Sequence, residues 1–300
     1  MIPFIKMHGC ANDYIFLDCF THRPPADPSR LAVLVSDRYR GVGADGLILM
    51  LPDTTPNVAA RMRMFNADGS EGGLCGNALR CMALWLHQSD RCGSHFQIAM
   101  GDRIITATIV QSDSTQRSAI VSVLIGPPVV QTLNSLGEQS FVREVSLNDL
   151  TLPELISPVV HLSMGNPHTV LFVRSLSDIA FESLGPLIET HAAFPDRTNV
   201  EFVEIVNSEV PRGDNGCRKV SARVRVWERG SGETLACGSG ACAVAVAGIS
   251  AGLFNDGTPV IVSMRGGELR IIWDQNRDVY LEGPAVEVFR GEFRLPGNFE

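Results

Sequence analysis

Lysine is almost missing from this chain. Of its 25 basic residues, spread over 300 positions, only Lys6 and Lys219 are lysines. Mechanisms that need a Schiff-base lysine, pyridoxal phosphate chemistry foremost, have little to draw on, so no cofactor of that kind is expected. Excess positive charge is missing too. The formal net charge is −8 and the isoelectric point near 5.4, with arginines scattered along the chain, and a nucleic-acid partner needs a concentrated basic surface. No run is long and apolar enough to cross a membrane. The first ten residues carry neither the basic start nor the cleavage pattern of a secretory signal, which leads to the expectation of a cytosolic, cytoplasmic protein. The eight cysteines are too dilute for a small secreted disulfide framework, so reduced thiols are the default.

What is present describes an ordinary globular chain, 45% hydrophobic, 19% charged and with 28 glycines, long enough for two domains of about 150 residues each. Its most informative feature is a cysteine among small residues that occurs once per half, each time opening an apolar helical run: Cys75-Gly76-Asn77 and Cys237-Gly238-Ser239. Small residues allow close backbone approach to a ligand, and a helix start leaves N–H groups without intrahelical partners. Those N–H groups attract anions and favour thiolate over thiol, so a lowered pKa is expected at both cysteines.

Other landmarks recur in the same order. Asn12 in Gly9-Cys10-Ala11-Asn12 resembles Asn166 in Gly165-Asn166-Pro167-His168; Asp45 and Asn199 each follow 33 residues later, and the cysteines follow their asparagines by 63 and 71 residues. Three landmarks in one order favour a duplicated domain. Residues 61–65, 96–100, 104–110, 119–125, 221–227, 260–264 and 268–273 read as strands, and residues 28–35, 77–88, 176–189 and 239–251 as helices. The helical runs after Cys81 and Cys242 are apolar nearly all round, as a helix enclosed by sheet should be. Gly126-Pro127-Pro128 is the best boundary, giving domains 1–126 and 127–284, with the strand-like run from 285 returning to complete the first through residue 300.

These segments resemble the diaminopimelate epimerase family, pyridoxal-independent enzymes that interconvert LL- and meso-2,6-diaminopimelate. The resemblance rests on Lys6 through Asp13, Gly41 through Gly46, Phe65 through Asn77, Gly165 through His168, and Glu228 through Ser239. It implies an α/β (α+β) fold of two pseudosymmetric domains, each a mixed β-sheet rolled around a central helix, with an active site between them and a homodimer as the assembly. It implies Cys75 and Cys237 as the catalytic thiols. Asn12, Asn66, Gly76, Asn77, Asn166, Asn199, Glu228, Arg229, Gly238 and Ser239 are implied as substrate contacts, and His168 and Glu228 as groups that tune the thiols. Some family members have glutamine where this chain has Gly46, so that contact is not carried over.

Inverting a carbon centre by proton exchange needs a base on one face and an acid on the other, a role that a thiolate and a thiol can share. The resemblance assigns Cys237 as proton acceptor and Cys75 as donor in the LL-to-meso direction, with roles exchanged in reverse. Competing readings are a racemase of proline or hydroxyproline, a silent binding or redox protein whose cysteines close a disulfide, and a hydrolase using one cysteine as nucleophile. A zinc site from Cys75, Cys81, Cys237 and Cys242 fits poorly, since structural zinc takes closer thiol pairs on turns. Cys19, Cys81, Cys92 and Cys242 read as small core hydrophobes; Cys10 and Cys217 stay unassigned.

Overall fold

The structure, a computed structural model, describes residues 1–73, 75–129, 131–132, 139–206 and 220–295. Leu74, Cys217 and Lys219 lie outside the described residues. The chain separates into two compact units, residues 1–124 with 282–300, and residues 125–281.

The first unit contains β1 (Ile2–Gly9), β2 (Asn12–Asp18), α1 (Pro28–Ser36), β3 (Gly46–Leu51), β4 (Val58–Asn66), α2 (Gly76–Gln88), β5 (His95–Met100), β6 (Arg103–Asp113) and β7 (Ser118–Gly126). Its neighbours pair in chain order, antiparallel for β1–β2, β3–β4, β5–β6 and β6–β7 and parallel for β2–β3 and β4–β5. Each parallel pair needs a crossover, and α1 and α2 supply the two. The last strand, β18 (Val279–Phe293), pairs β1 antiparallel and also neighbours β7, so the sheet closes on itself.

The second unit holds the ribbon β8 (Gln131–Thr132) and β9 (Gln139–Ser140), then β10 (Val142–Val145), β11 (Val159–Ser163), β12 (Pro167–Val173), α3 (Phe181–Glu189), β13 (Asn199–Val206), β14 (Val220–Glu228), β15 (Gly232–Thr234), α4 (Gly238–Ser250), β16 (Val260–Met264) and β17 (Gly267–Trp273). From β11 to β17 the pairing runs antiparallel, parallel, antiparallel, parallel, antiparallel, the same series as from β1 to β6. The helices again fall in the parallel connections. Each unit is therefore a mixed sheet around one enclosed helix.

Enclosure explains the composition of α2 and α4. Every residue from Asn77 to Leu86 is buried, as is every residue from Gly240 to Gly248. Each large apolar side chain so buried contributes roughly 1.5–3 kcal/mol. The strands that surround them alternate buried and half-buried positions, as in β4 and β7, which is the period-2 pattern of a sheet with one face on a core. Smaller clusters lie outside. Leu31, Ala32 and Val35 of α1 pack on Leu47, Leu49 and Phe65, and Phe181, Leu184 and Ile188 of α3 pack on Val200 and Phe202.

One helix differs from its sequence reading. Residues 176–189 divide into a single 3-10 turn, Leu176–Asp178, and α3, with Ile179 extended between them. Ser175 Oγ, accepting the Ser177 N–H at 3.3 Å, and Glu204, accepting the Leu176 N–H at 3.0 Å, cap the 3-10 turn, and the extended backbone of Ile179 ends it before α3 starts afresh.

Candidate active site

Both special cysteines are helix N-caps. Cys75 Sγ accepts the Ala78 N–H of α2 at 3.5 Å, and Cys237 Sγ accepts the Gly240 N–H of α4 at 3.4 Å. Both have extended backbone, with φ of −127° and −124°. A side-chain acceptor at this position satisfies one of the orphan donors of the first turn, and here sulfur does what serine or aspartate usually does.

Around Cys75 the groups are neutral or basic. Tyr14 Oη, on buried β2, lies 3.3 Å from Sγ, and Asn12 Oδ1 lies 3.8 Å away. Asn12 is fixed at both ends of its amide: its Nδ2 donates to Asp45 Oδ2 at 2.7 Å, and its Oδ1 accepts from Asn77 Nδ2 at 3.0 Å. Asn77 Oδ1 in turn accepts from Arg80 Nη2 at 2.8 Å, and Arg80, fully buried in α2, also donates to the Pro284 carbonyl at 3.2 Å. Asp45 is itself held by Arg38 at 2.9 Å and the Asp13 N–H at 3.1 Å. Asn66 stands apart from this chain of contacts, at the end of β4, with its Nδ2 on Ser70 Oγ at 2.9 Å.

Around Cys237 the groups are carboxylates and an imidazole. Ser239 Oγ lies 3.5 Å from Sγ, and Asn166 Nδ2 donates to that hydroxyl at 3.4 Å. Asn166 Oδ1 lies 3.1 Å from His168 Nε2, and His168 Nδ1 lies 2.6 Å from Glu201 Oε1, both side chains fully buried. Glu228, at the end of β14, takes hydrogen bonds from Thr234 and Cys237. Asn199 accepts the Arg229 N–H at 2.9 Å and donates to the Pro167 carbonyl at 2.8 Å, while Arg229 Nη1 donates to the Asp196 carbonyl at 2.9 Å.

The thiols do not have the lowered pKa values that a helix start alone suggests. Burial pushes Cys75 up; Tyr14, the Ala78 and Asn77 N–H groups and Arg80 oppose it without reversing it. Cys237 is raised well above the ordinary thiol value, first by burial, then by the charges of Glu228 and Glu201. Partial charges at the helix end are small beside the cost of an ion removed from water. Glu228 is also raised, by burial and by Glu201, and Tyr14 is raised well above its usual value by burial and by the Cys75 sulfur.

Strand register refines the internal correspondence. Tyr14 lies opposite Gly46 and Gly46 opposite Asn66, whereas His168 lies opposite Asn199. Val200 faces Trp227, which sets Asn199 and Glu228 on the adjoining rung. The counterpart of Asn199 is thus Gly46, one residue beyond the Asp45 reached by counting. A Cβ at Gly46 would sit 2.2 Å from the Phe65 carbonyl oxygen, so this strand admits no side chain there without moving backbone.

Sequence reasoning missed Tyr14, Arg80 and Glu201. Tyr14 and Glu201 fall inside strands and Arg80 inside an apolar helix, where each reads as an element residue. Among the described residues no group of three or more His, Cys, Asp or Glu is placed to hold a metal ion, and no helix is long and apolar enough to cross a membrane.

The diaminopimelate epimerase family profile matches residues 4–130 and 160–288. The chain belongs to the diaminopimelate epimerase family. A diaminopimelate epimerase of Pelotomaculum thermopropionicum is 40% identical over 297 residues, covering 97% of this chain and 98% of that protein. One from Methanococcus maripaludis is 36% identical over 300 residues, covering 98% and 100%. Solved structures share the fold at low identity. A Bacillus anthracis phenazine biosynthesis protein of the PhzF family has a TM-score of 0.69 at 15% identity, covering 98% of this chain and 99% of its own. A hydroxyproline epimerase of Agrobacterium vitis has a TM-score of 0.59 at 13% identity, covering 97% and 90%.

Proposed function

We propose that this member of the family is a diaminopimelate epimerase, interconverting the LL and meso isomers by proton exchange between Cys75 and Cys237, without a cofactor. The observation that carries the reading is the paired capping arrangement: each unit presents one thiol at the first turn of its enclosed helix, beside backbone N–H groups. An α-proton is a very weak acid, and the carbanion formed on its removal needs stabilisation as it forms. Preorganised N–H dipoles aimed at a carboxylate supply this without solvent reorganisation. Helix starts at residues 76–78 and 238–240 are suited to an α-carboxylate.

In this reading one thiol is ionised and the other protonated, and the titration belongs to the pair. Cys237 accepts the proton in the LL-to-meso direction and Cys75 delivers one to the opposite face. Asn12, Asn66, Gly76, Asn77, Asn166, Asn199, Glu228, Arg229, Gly238 and Ser239 hold the substrate, with amide and guanidinium groups reading the carboxylate and ammonium of the distal end. His168 and Glu228 set the protonation of the Cys237 half. The units are the two epimerase domains, the enzyme is a cytoplasmic homodimer, and its product feeds lysine and peptidoglycan precursor synthesis.

The test is proton NMR of meso-diaminopimelate in D2O with reduced protein. Loss of the α-proton signal with appearance of the LL isomer, abolished or greatly slowed in Cys75→Ser and in Cys237→Ser, is the expected result. Absence of exchange with wild-type protein, together with exchange of proline, would replace this reading with that of a proline-type racemase.

A further inference from the structure

Glu201 is a buried carboxylate with no place in the reaction just described. It lies on β13 with no exposed surface. Its Oε1 meets His168 Nδ1 at 2.6 Å, while Oε2 is buried and has no hydrogen-bond partner among the described residues. Such a group costs several kcal/mol to desolvate unless its remaining contacts compensate, so its retention calls for a local reason. The surroundings offer one. A Cβ at Gly240 would lie 2.8 Å from Glu201 Oε1, which puts this carboxylate directly against the first turn of α4, the turn capped by Cys237.

From Glu201 a single file of polar contacts leads to the thiol. It runs through His168 to Asn166 at 3.1 Å, from Asn166 to Ser239 at 3.4 Å and from Ser239 to Cys237 at 3.5 Å. A carboxylate beside Nδ1 requires the proton to sit on that nitrogen. The ring is then fixed in one orientation, and the state of Nε2 decides whether the Asn166 carboxamide turns its oxygen or its NH2 toward the ring. The opposite end of the same amide meets Ser239.

We propose that Glu201 is a positioning residue of the Cys237 half-site: it holds the Nδ1 proton of His168, and through that ring it fixes the orientation of the Asn166 carboxamide and of the Ser239 hydroxyl beside the thiol. Glu201 touches neither substrate nor sulfur in this role. The inference rests on the reading of Cys237 as an acid–base group.

The experiment uses full-length protein labelled with [15N]histidine, the His168 signals being assigned by their absence in His168→Gln. Wild-type protein is expected to show a far-downfield Nδ1 proton at His168 that exchanges slowly with water. Glu201→Gln, the same shape without charge, can present either oxygen or NH2 to the ring. It is expected to lose that signal and to lower kcat about tenfold with KM changed less than twofold, at an unaltered melting temperature, as for other groups that orient a reacting residue. A bare Nδ1 in wild-type protein overturns the proposal with no variant needed. So does a Glu201→Gln enzyme with the wild-type kcat or an unshifted His168 spectrum. Failure of wild-type protein to turn over diaminopimelate counts against the proposed function, while the spectrum, which needs no substrate, still decides the role of Glu201.

Discussion

The two units repeat one order of strands and helices yet surround their thiols with opposite electrostatics. At matching rungs, Tyr14, Gly46 and Asn66 of the first unit correspond to His168, Asn199 and Glu228 of the second. Cys75 faces a phenol, the Asn12 carboxamide, two backbone N–H groups and the field of a buried arginine, all neutral or positive; Cys237 faces two carboxylates, a hydroxyl and a backbone N–H. Duplication supplied two equal frames, and divergence at a few rungs made their thiols unequal. A reaction that needs one acid and one base benefits from that inequality, because two equal thiols would spend much of their time in the useless states of both charged or both neutral.

The comparison breaks most visibly if either thiol proves dispensable. Cys75→Ser and Cys237→Ser should each lower epimerisation by about 10²–10⁴-fold, the range for loss of a general acid or base, as read by initial rates from each isomer. Near-equal activity of either variant and wild type would reduce the pair to one working group.

Next in size is the order of ionisation. Alkylation with iodoacetamide, followed by peptide mass analysis across pH 6–10, should modify Cys75 at least about tenfold faster than Cys237 at pH 8, since a thiol reacts through its thiolate. Glu228→Gln should speed modification of Cys237 by removing a charge that raises it. Tyr14→Phe should slow that of Cys75, because the phenol favours its thiolate.

The raised thiols also fix the sign of a stability effect. Burial pushes Cys81 up to about 12 and Cys19 and Cys92 up to about 11, and Cys75 and Cys237 are raised as well. Below the unfolded thiol value of about 8.5 Cys19, Cys81 and Cys92, which stand outside the reacting pair, are protonated in both states, and their contribution is full. As pH rises beyond it the unfolded chain releases protons that the folded chain keeps, so stability falls steadily toward the folded values. Urea midpoints should therefore drop between pH 8 and pH 10; a flat profile would contradict the burial argument.

The smallest effects concern the backbone. Gly46→Ala should destabilise by about 2–4 kcal/mol through overpacking against Phe65, whereas Asn199→Ala, at the corresponding rung, should cost only about 1–2 kcal/mol for its lost hydrogen bonds. The turn joining β1 to β2 places Cys10 and Ala11 in the left-handed region, with φ of 54° and 61°, while the matching turn of the second unit uses Gly165 with φ of 100°. Ala11→Gly should therefore raise stability by up to about 1 kcal/mol and Gly165→Ala should lower it by a similar amount, as measured by thermal melts.

Much of this design was legible in the sequence for a physical reason. A cysteine amid glycines before an apolar run marks both a helix start and a close approach, so Cys75 and Cys237 stand out from six other cysteines. The enclosed helices announce themselves by having no polar face. Residues 176–189 misled because an apolar periodicity runs on unbroken through Ile179, whose extended backbone divides the 3-10 turn from α3. Glu201 was hidden because alternation along β13 suggests a solvent-facing glutamate, and only its side-chain contact with His168 on the adjoining strand and the covering turn of α4 show that both faces of that strand are covered. Tyr14 and Arg80 were hidden in the same way, since their partners Cys75 and Asn77 become neighbours through the fold. Thiol acidity was misjudged because a sequence shows the helix end but not how deeply it is buried.

The most direct test of two unequal thiols acting on opposite faces is the initial-rate reaction of LL-diaminopimelate in D2O, with deuterium located in both product and recovered substrate. Proton removal by one cysteine and delivery by the other predicts deuterium at the inverted carbon of the meso product while recovered LL substrate keeps its α-protons. Deuterium entering recovered substrate as fast as product would mean that a single group serves both faces, and would contradict the account.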